Sequence, residues 1–310
     1  MTTPLGRPIA LHDEVSIVAP ETTEIEIPAA GWRHTIRRFR RQRVAMAGVV
    51  ILVILVAAGA LAPLLAPHDP AELVSTPFGS PSGDFLLGTD EIGRDLLSRL
   101  LYGMRFSLLA SFIAVLASVS VGSAIGLVSG YVGGWIDYTI MRVTDAILAF
   151  PGLLIAMAIV GVLGPGVVNA MLGLSIAFMP LFVRLVRGEV LAIRAEPYVE
   201  AARVAGVRAR RIIRRHVIPN MLPPVLVQAL TTMAIALLAE GALSFLGLSV
   251  QPPNSSLGKL LQSGFTYVAV TPRLILAPGI VLTLLAWSFN SIADGLRESL
   301  SVRESVGVAG

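Results

Sequence analysis

The 310-residue sequence has no cysteine, a single lysine and four histidines, and only 14% of its residues are charged. Without cysteine the chain forms neither a disulfide framework nor a thiolate metal site. Charge is scarce because long stretches are apolar, and 55% of all residues are hydrophobic. This composition excludes an ordinary water-soluble domain and is typical of a polytopic membrane protein.

Uncharged stretches long enough to cross a bilayer, about 20 residues each, recur along the chain. Residues 146–183 contain no charged side chain, and as a helix they would be about twice as long as the apolar core of a bilayer is thick. We therefore predict two spans there, separated at Gly164-Pro165-Gly166, where glycine and proline end helices. The predicted total is six spans, the other four lying near residues 44–66, 108–130, 222–246 and 274–292.

The distribution of arginine predicts the orientation. Six arginines lie in residues 33–43 and seven in residues 194–215, whereas residues 67–104 carry two arginines and six acidic side chains. Because cytoplasmic loops are rich in Lys and Arg, both termini are predicted to be cytoplasmic. The same rule explains the basic isoelectric point, so nucleic-acid binding is not expected.

These observations divide the chain into five regions. Residues 1–31 lack the pattern of a cleavable signal and are interpreted as a tail. The remaining regions are a basic segment with the first span (32–66), an extracytoplasmic segment (67–104), a five-helix core (105–297) containing a polar loop (188–221), and a C-terminal tail (298–310).

The polar loop at 188–221 carries more pattern than a topogenic arginine cluster needs. Pro197 begins a short helix with Glu200 in its first turn, where the helix dipole favours a carboxylate. Gly206 allows the chain to bend, and a second helix over 207–217 is predicted to end at Pro219. Two short angled helices would form a compact cytoplasmic contact surface for a partner.

This loop resembles the permease subunits of binding-protein-dependent ABC transporters. Their pattern is Glu-Ala-Ala, three residues, Gly, nine residues, then Ile-x-Leu-Pro. The chain has Glu200, Ala201, Ala202, Gly206 and Pro219 at that spacing, with His and Ile replacing the Ile and Leu before the proline. That departure is similar to the dipeptide, oligopeptide and nickel branch, as are the stretches at 87–95, 130–137 and 240–248.

The resemblance implies an all-α, type I importer permease fold and no covalent chemistry. It implies a second, related permease with which this chain forms a heterodimer, two ATP-binding subunits that hold ATP and Mg, an extracytoplasmic substrate-binding protein, and no cofactor in this chain. It places the coupling helix in the loop 188–221, hereafter the coupling loop. The residues assigned to ATPase coupling are Glu200, Ala201, Ala202, Arg203, Gly206, Arg210, Arg211 and Pro219.

Other patterns admit two interpretations each. Gly122, Gly126 and Gly130 recur every four residues, which favours close helix packing within this chain or with another, although glycine is also common in membrane helices. Glu240 inside a span is predicted to line the translocation pathway or to reach the interface. Residues 83–101 are predicted to form an amphipathic outer helix, either lying on the membrane or docking an external protein.

Three functions compete. An ATP-driven importer subunit fits a chain that lacks a Gly-x-x-x-x-Gly-Lys-Ser/Thr loop, since Lys259 has no upstream glycine at that spacing. An ion-coupled transporter would need more ionisable groups in mid-membrane than Glu240, and an intramembrane enzyme would need a histidine or paired carboxylates inside a span. We expect a peptide importer permease, with nickel or another small solute as the alternative cargo.

Overall fold

A computed structural model describes residues 32–305, and every regular element in that range is helical. The helices are α1 (Trp32–Phe39), α2 (Arg43–Ala60), α3 (Ala62–Leu65), α4 (Leu96–Val132), α5 (Gly134–Leu148), α6 (Gly152–Leu163), α7 (Val167–Arg194), α8 (Pro197–Val204), α9 (Ala209–Ile212), α10 (Ile218–Phe245), α11 (Leu257–Thr266) and α12 (Arg273–Ser305). A π-helical turn, Ile213–Val217, joins α9 to α10. The all-α prediction is confirmed.

Within the described residues, five helical stretches are long and apolar enough to cross a membrane. Helices α5 and α6, which are bent by 87° at the break between them, count as a sixth crossing only if the pair is one broken span. Helix α6 alone is 12 residues long, about 18 Å, and is shorter than the ~30 Å apolar core. Five of the six predicted spans are therefore present as long helices, and the third corresponds to the bent pair, which breaks near Pro151 and begins at Gly134, before the predicted position.

The bundle is organised around α4, which packs along the length of α7 and also contacts α10. Helix α10 packs on α12, which in turn carries α2 on its outer side. Buried leucines from four of these helices, among them Leu100, Leu174, Leu237 and Leu285, form one continuous core. Helix α2 is mostly exposed, so its apolar side chains face lipid rather than protein.

The predicted helix over residues 83–101 is wrong for its first part. Residues 83–95 are turns and bends, and α4 begins only at Leu96, with the Asp95 carboxylate accepting a hydrogen bond from the Ser98 N–H at 2.8 Å. Asp90 is buried and pairs with Arg94 at 2.7 Å and with Arg99. The charged side chains of this segment suggested an amphipathic helix. They pair with one another inside a folded loop instead.

Three other predicted regions also differ in their bounds. The core begins with α4 at Leu96 rather than at 105, and α12 continues to Ser305 through the start of the predicted C-terminal tail. The predicted tail at 1–31 lies outside the described residues. Between α7 and α10, only residues 195–217 lie outside the two long helices, so the coupling loop is shorter than its predicted range.

Candidate functional site: the coupling loop and its supports

Helix α8 ends in a glycine turn of defined geometry. Gly206 has a φ of +75°, its N–H donates to the Arg203 carbonyl at 3.0 Å, and the Val207 N–H donates to the Ala202 carbonyl at 3.0 Å. This pair of bonds is a Schellman motif, which needs a residue in the left-handed region. A Cβ on Gly206 would meet no atom within 4 Å. The glycine is required for its backbone conformation, and the predicted bend is present.

The second predicted helix does not end at Pro219. Helix α9 passes through the π-helical turn directly into α10, and Pro219 is the second residue of α10. Proline is tolerated there because the π-helical turn directly before it interrupts the regular hydrogen-bond ladder in which the missing N–H would take part. The coupling loop is consequently continuous with a long span.

A buried apolar face anchors the coupling loop to the bundle. Val199, Ile212 and Val217 are each at most 1% exposed and pack with Val186 and Val190 of α7. Burying one such side chain contributes about 1.5–3 kcal/mol. These contacts make α8, α9 and the adjoining halves of α7 and α10 a single packed unit.

Polar contacts also link α8 to the π-helical turn and to α10. The Asn220 amide donates to the Tyr198 hydroxyl at 3.4 Å, and the Tyr198 and His216 rings lie 5.7 Å apart. Burial raises the pKa of the Tyr198 phenol above its usual value, with the Glu196 carboxylate adding to the shift. The Asn220–Tyr198 hydrogen bond thus joins α8 to the first turn of α10.

Arg194, which the site prediction omitted, ties the loop to a second helix. Its guanidinium donates to the Gly130 carbonyl at 2.8 Å and the Tyr131 carbonyl at 2.7 Å, both in the last turn of α4. A cation at a helix C-terminus is stabilised by the free carbonyls and the helix dipole. This role was not predicted, because Arg194 lies beside an arginine-rich loop whose charge was interpreted only as a signal for membrane orientation.

The opposite face of the coupling loop is open. Val204 is 84% exposed and lies one helical turn after Glu200, so an apolar and an acidic side chain share one exposed face of α8. Sequence reasoning missed Val204. The predicted coupling residues Glu200, Ala201, Arg203, Gly206, Arg210, Arg211 and Pro219 are exposed, and Ala202 is half-buried. A surface cavity of about 580 Å³ is lined by Arg208, Arg210, Arg211, Arg214 and Arg215.

The three stacked glycines of α4 lie directly against α7 of the same chain. A Cβ on Gly122, Gly126 or Gly130 would come within 2.7, 2.6 and 2.9 Å of successive α7 carbonyl oxygens. Real side chains do not fit at such distances, so only glycine permits this helix approach. Since α7 leads into the coupling loop, the stripe sets the position of the loop relative to α4.

Glu240 lies inside the bundle and faces neither an open surface nor the outer interface. It is 1% exposed, and its Oε1 accepts hydrogen bonds from the Ser244 hydroxyl at 3.1 Å and the Ser249 hydroxyl at 3.3 Å. The Ser256 hydroxyl, just before α11, donates to Ser244 at 2.8 Å. Within this chain, the carboxylate thus connects α10 to the loop that leads into α11.

With this geometry established, comparison with known proteins defines the class. Residues 122–305 match the family described as "Binding-protein-dependent transport system inner membrane component". Residues 31–79 match the "N-terminal TM domain of oligopeptide transport permease C". The chain therefore belongs to the family of inner-membrane permease components of binding-protein-dependent transport systems, as the motifs predicted.

Individual relatives extend over almost the whole chain. It is 39% identical over 270 residues to the dipeptide transport system permease protein DppC of Alkalihalophilus pseudofirmus, covering 87% of this chain and 89% of the relative. It is 39% identical over 269 residues to the di/tripeptide transport system permease protein DppC of Pseudomonas aeruginosa, covering 84% and 89%. A chain of the MetNI methionine ABC transporter, in an inward-facing structure, has the same fold, with a TM-score of 0.53, 19% identity, and 64% and 95% coverage.

Proposed function

We propose that this chain is the permease subunit of an ATP-driven importer for di- and oligopeptides. The cargo assignment is supported by relatives of nearly equal length whose names specify dipeptide and di/tripeptide transport. In the proposed complex the chain pairs with a second permease. An extracytoplasmic binding protein delivers the peptide, and two ATP-binding subunits hold ATP and Mg.

The observation that carries the mechanism is the two-sided construction of the coupling loop. One side is packed without exposure against α7 and α10, while the other presents Glu200, Val204 and a cluster of arginines. A surface built this way transmits force because its buried side moves with two spans and its open side is free to dock. The docking partner in this proposal is an ATP-binding subunit, on the cytoplasmic side, where both termini also lie.

Motion of the coupling loop would reach the rest of the bundle by two contacts. Helix α7 packs closely on α4 at Gly122, Gly126 and Gly130, and α10 continues from the coupling loop without a break. Closure of the ATP-binding subunits would therefore rotate α4, α7 and α10 as one body and open the pathway outward. Return of that body after ATP hydrolysis would release the peptide inward.

The test is uptake of a labelled dipeptide into vesicles containing the reconstituted complex with its binding protein. ATP-dependent accumulation is expected, and omission of either the ATP-binding subunits or the binding protein should abolish it. Accumulation against a gradient by this chain alone would refute the proposal. So would a complex that takes up nickel or another small solute and leaves peptides outside.

A further inference from the structure

One ion pair is exposed on the membrane-embedded part of the bundle. The Arg184 guanidinium Nη2 on α7 lies 2.6 Å from the Asp145 carboxylate Oδ1 on α5, and the two residues are 39 positions apart in the sequence. Their side chains are 57% and 51% exposed. A half-exposed ion pair is ordinary on a soluble surface, but in a membrane the medium that it faces has to be identified.

The depth of the pair places it within the apolar layer. Arg184 lies about 15 Å along the axis of α7 from the end at Arg194 and about 25 Å from the start at Val167. Asp145 lies about 16 Å from the start of α5 at Gly134, which is the same end of the bundle. Helix α7, about 42 Å long, exceeds a ~30 Å core by only about 6 Å at each end when centred. The pair is therefore about 9 Å inside.

A second ion pair between the same helices shows what a packing contact looks like. Arg187 donates two hydrogen bonds to Asp137, at 2.5 and 2.7 Å, and Ser129 donates a third at 2.5 Å. Its side chains are only 30% and 18% exposed. The Arg187–Asp137 pair also joins α5 to α7, so the Arg184–Asp145 pair differs from it chiefly in being more exposed.

An apolar pocket adjoins the exposed pair. It measures about 220 Å³ between α4, α5 and α7, and its walls include Ile125, Ile140 and Met179. Thr144 and Val183, which directly precede Asp145 and Arg184 in sequence, also line it. The pocket therefore lies beside the ion pair, although Thr144 and Val183 are themselves buried and point in other directions than the charged residues that follow them.

We propose that Asp145 and Arg184 form a transit site for peptides on the translocation pathway. Charged groups at this depth pair with one another and face the bundle interior or a water-filled cavity rather than lipid, so the exposed half of this pair is assigned to the pathway. A peptide supplies an α-ammonium for Asp145, an α-carboxylate for Arg184 and an apolar side chain for the pocket. This inference rests on the proposed function and assigns the pathway to this face rather than to the enclosed Glu240.

Thiol labelling tests whether this face is in contact with water. Because the sequence contains no cysteine, one introduced cysteine is the only reactive thiol of the chain. Val143→Cys lines the pocket, is 57% exposed and leaves both charges in place. In the reconstituted complex it is treated with a positively charged, membrane-impermeant methanethiosulfonate, and modification of this chain is followed by mass spectrometry. Val53→Cys on α2 is the matched control, because Val53 is 60% exposed but lies on the outermost span. We expect Val143→Cys to react at least about tenfold faster and excess dipeptide to slow its reaction. Equal rates at the two positions would overturn the proposal.

Transport provides a second readout. Asp145→Asn and Arg184→Gln are each expected to lower dipeptide uptake about tenfold, since each removes one charge that the passing peptide contacts. Arg297→Gln is the control, because Arg297 forms an ion pair with Asp294 that is similarly exposed but lies near the end of α12. Unchanged uptake in both pathway variants, with a transporting wild-type complex, would refute the transit site alone. A wild-type complex that does not transport peptides would instead refute the proposed function.

Discussion

Replacement of Gly206 by alanine is the most direct test of the coupling loop. At a φ of +75° an L-residue is disfavoured by about 1–2 kcal/mol. The two Schellman bonds at this turn, each 3.0 Å long, are worth about 0.5–1.5 kcal/mol each if they are lost. No steric term is added, because the new Cβ meets nothing within 4 Å. The expected penalty is therefore conformational and local to the end of α8.

Gly247 offers a matched control at the opposite end of α10. Its φ is +76°, and a Cβ there also meets nothing within 4 Å. Gly206→Ala and Gly247→Ala should lower the free energy of unfolding by similar amounts, about 1–2 kcal/mol. The two variants differ only in whether the strained residue belongs to the coupling loop.

The assay compares both variants in the reconstituted complex for melting temperature, peptide uptake and peptide-stimulated ATP hydrolysis. Only Gly206→Ala should reduce uptake and stimulated hydrolysis while leaving the chain inserted. Gly206→Asn should recover part of the activity, since asparagine tolerates the left-handed region. Equal losses of transport in the two alanine variants, or none in either, would show that the geometry of this turn does not couple the two reactions.

Three further predictions concern stability in detergent, measured by thermal unfolding. Gly126→Ala should destabilise by about 1–3 kcal/mol because its Cβ would lie 2.6 Å from an α7 carbonyl, whereas Gly161→Ala, with open space around it, should be neutral; similar melting temperatures would contradict the packing argument. Asp90→Ala should lower the free energy of unfolding by about 3–5 kcal/mol, because it leaves the buried Arg99 without its carboxylate partner. Asp294→Ala removes an exposed ion pair and should lower it by less than ~1 kcal/mol; the reverse order would refute this ranking. Glu240→Leu should lower the free energy of unfolding by about 1–3 kcal/mol more than Glu240→Gln, because glutamine keeps an acceptor for the buried serine hydroxyls. Equal effects of the two substitutions would show that Glu240 does not stabilise the bundle as an acceptor.

Features that depend on local backbone chemistry were predictable. The Gly164-Pro165-Gly166 break separates α6 from α7, and the turn at Gly206 lies where the glycine indicated. The long apolar helices lie where run length and charge predicted spans, since a bilayer requires long apolar helices whatever their neighbours are. The family was predicted from the coupling-loop motif taken together with the stretches at 87–95, 130–137 and 240–248.

Features that depend on pairing between distant residues were not predictable. The charge pattern of residues 83–95 favoured a helix, but buried pairing of Asp90 with Arg99 stabilises a turn-rich loop instead. Pro219 suggested a helix end, yet a preceding π-helical turn lets the helix continue through it. In both cases a tertiary or neighbouring contact outweighed a local preference.

Composition and local pattern are enough to define an apolar helical bundle with a polar, arginine-rich loop, because hydrophobicity, charge and glycine act locally. Three contacts became visible only in the folded chain: Gly126 packs on α7, serines enclose Glu240, and Asp145 pairs with Arg184 on an exposed face. Those outcomes depend on which helices are neighbours and at what rotation. Helical periodicity specifies a face, but the packing of the whole bundle decides what that face contacts.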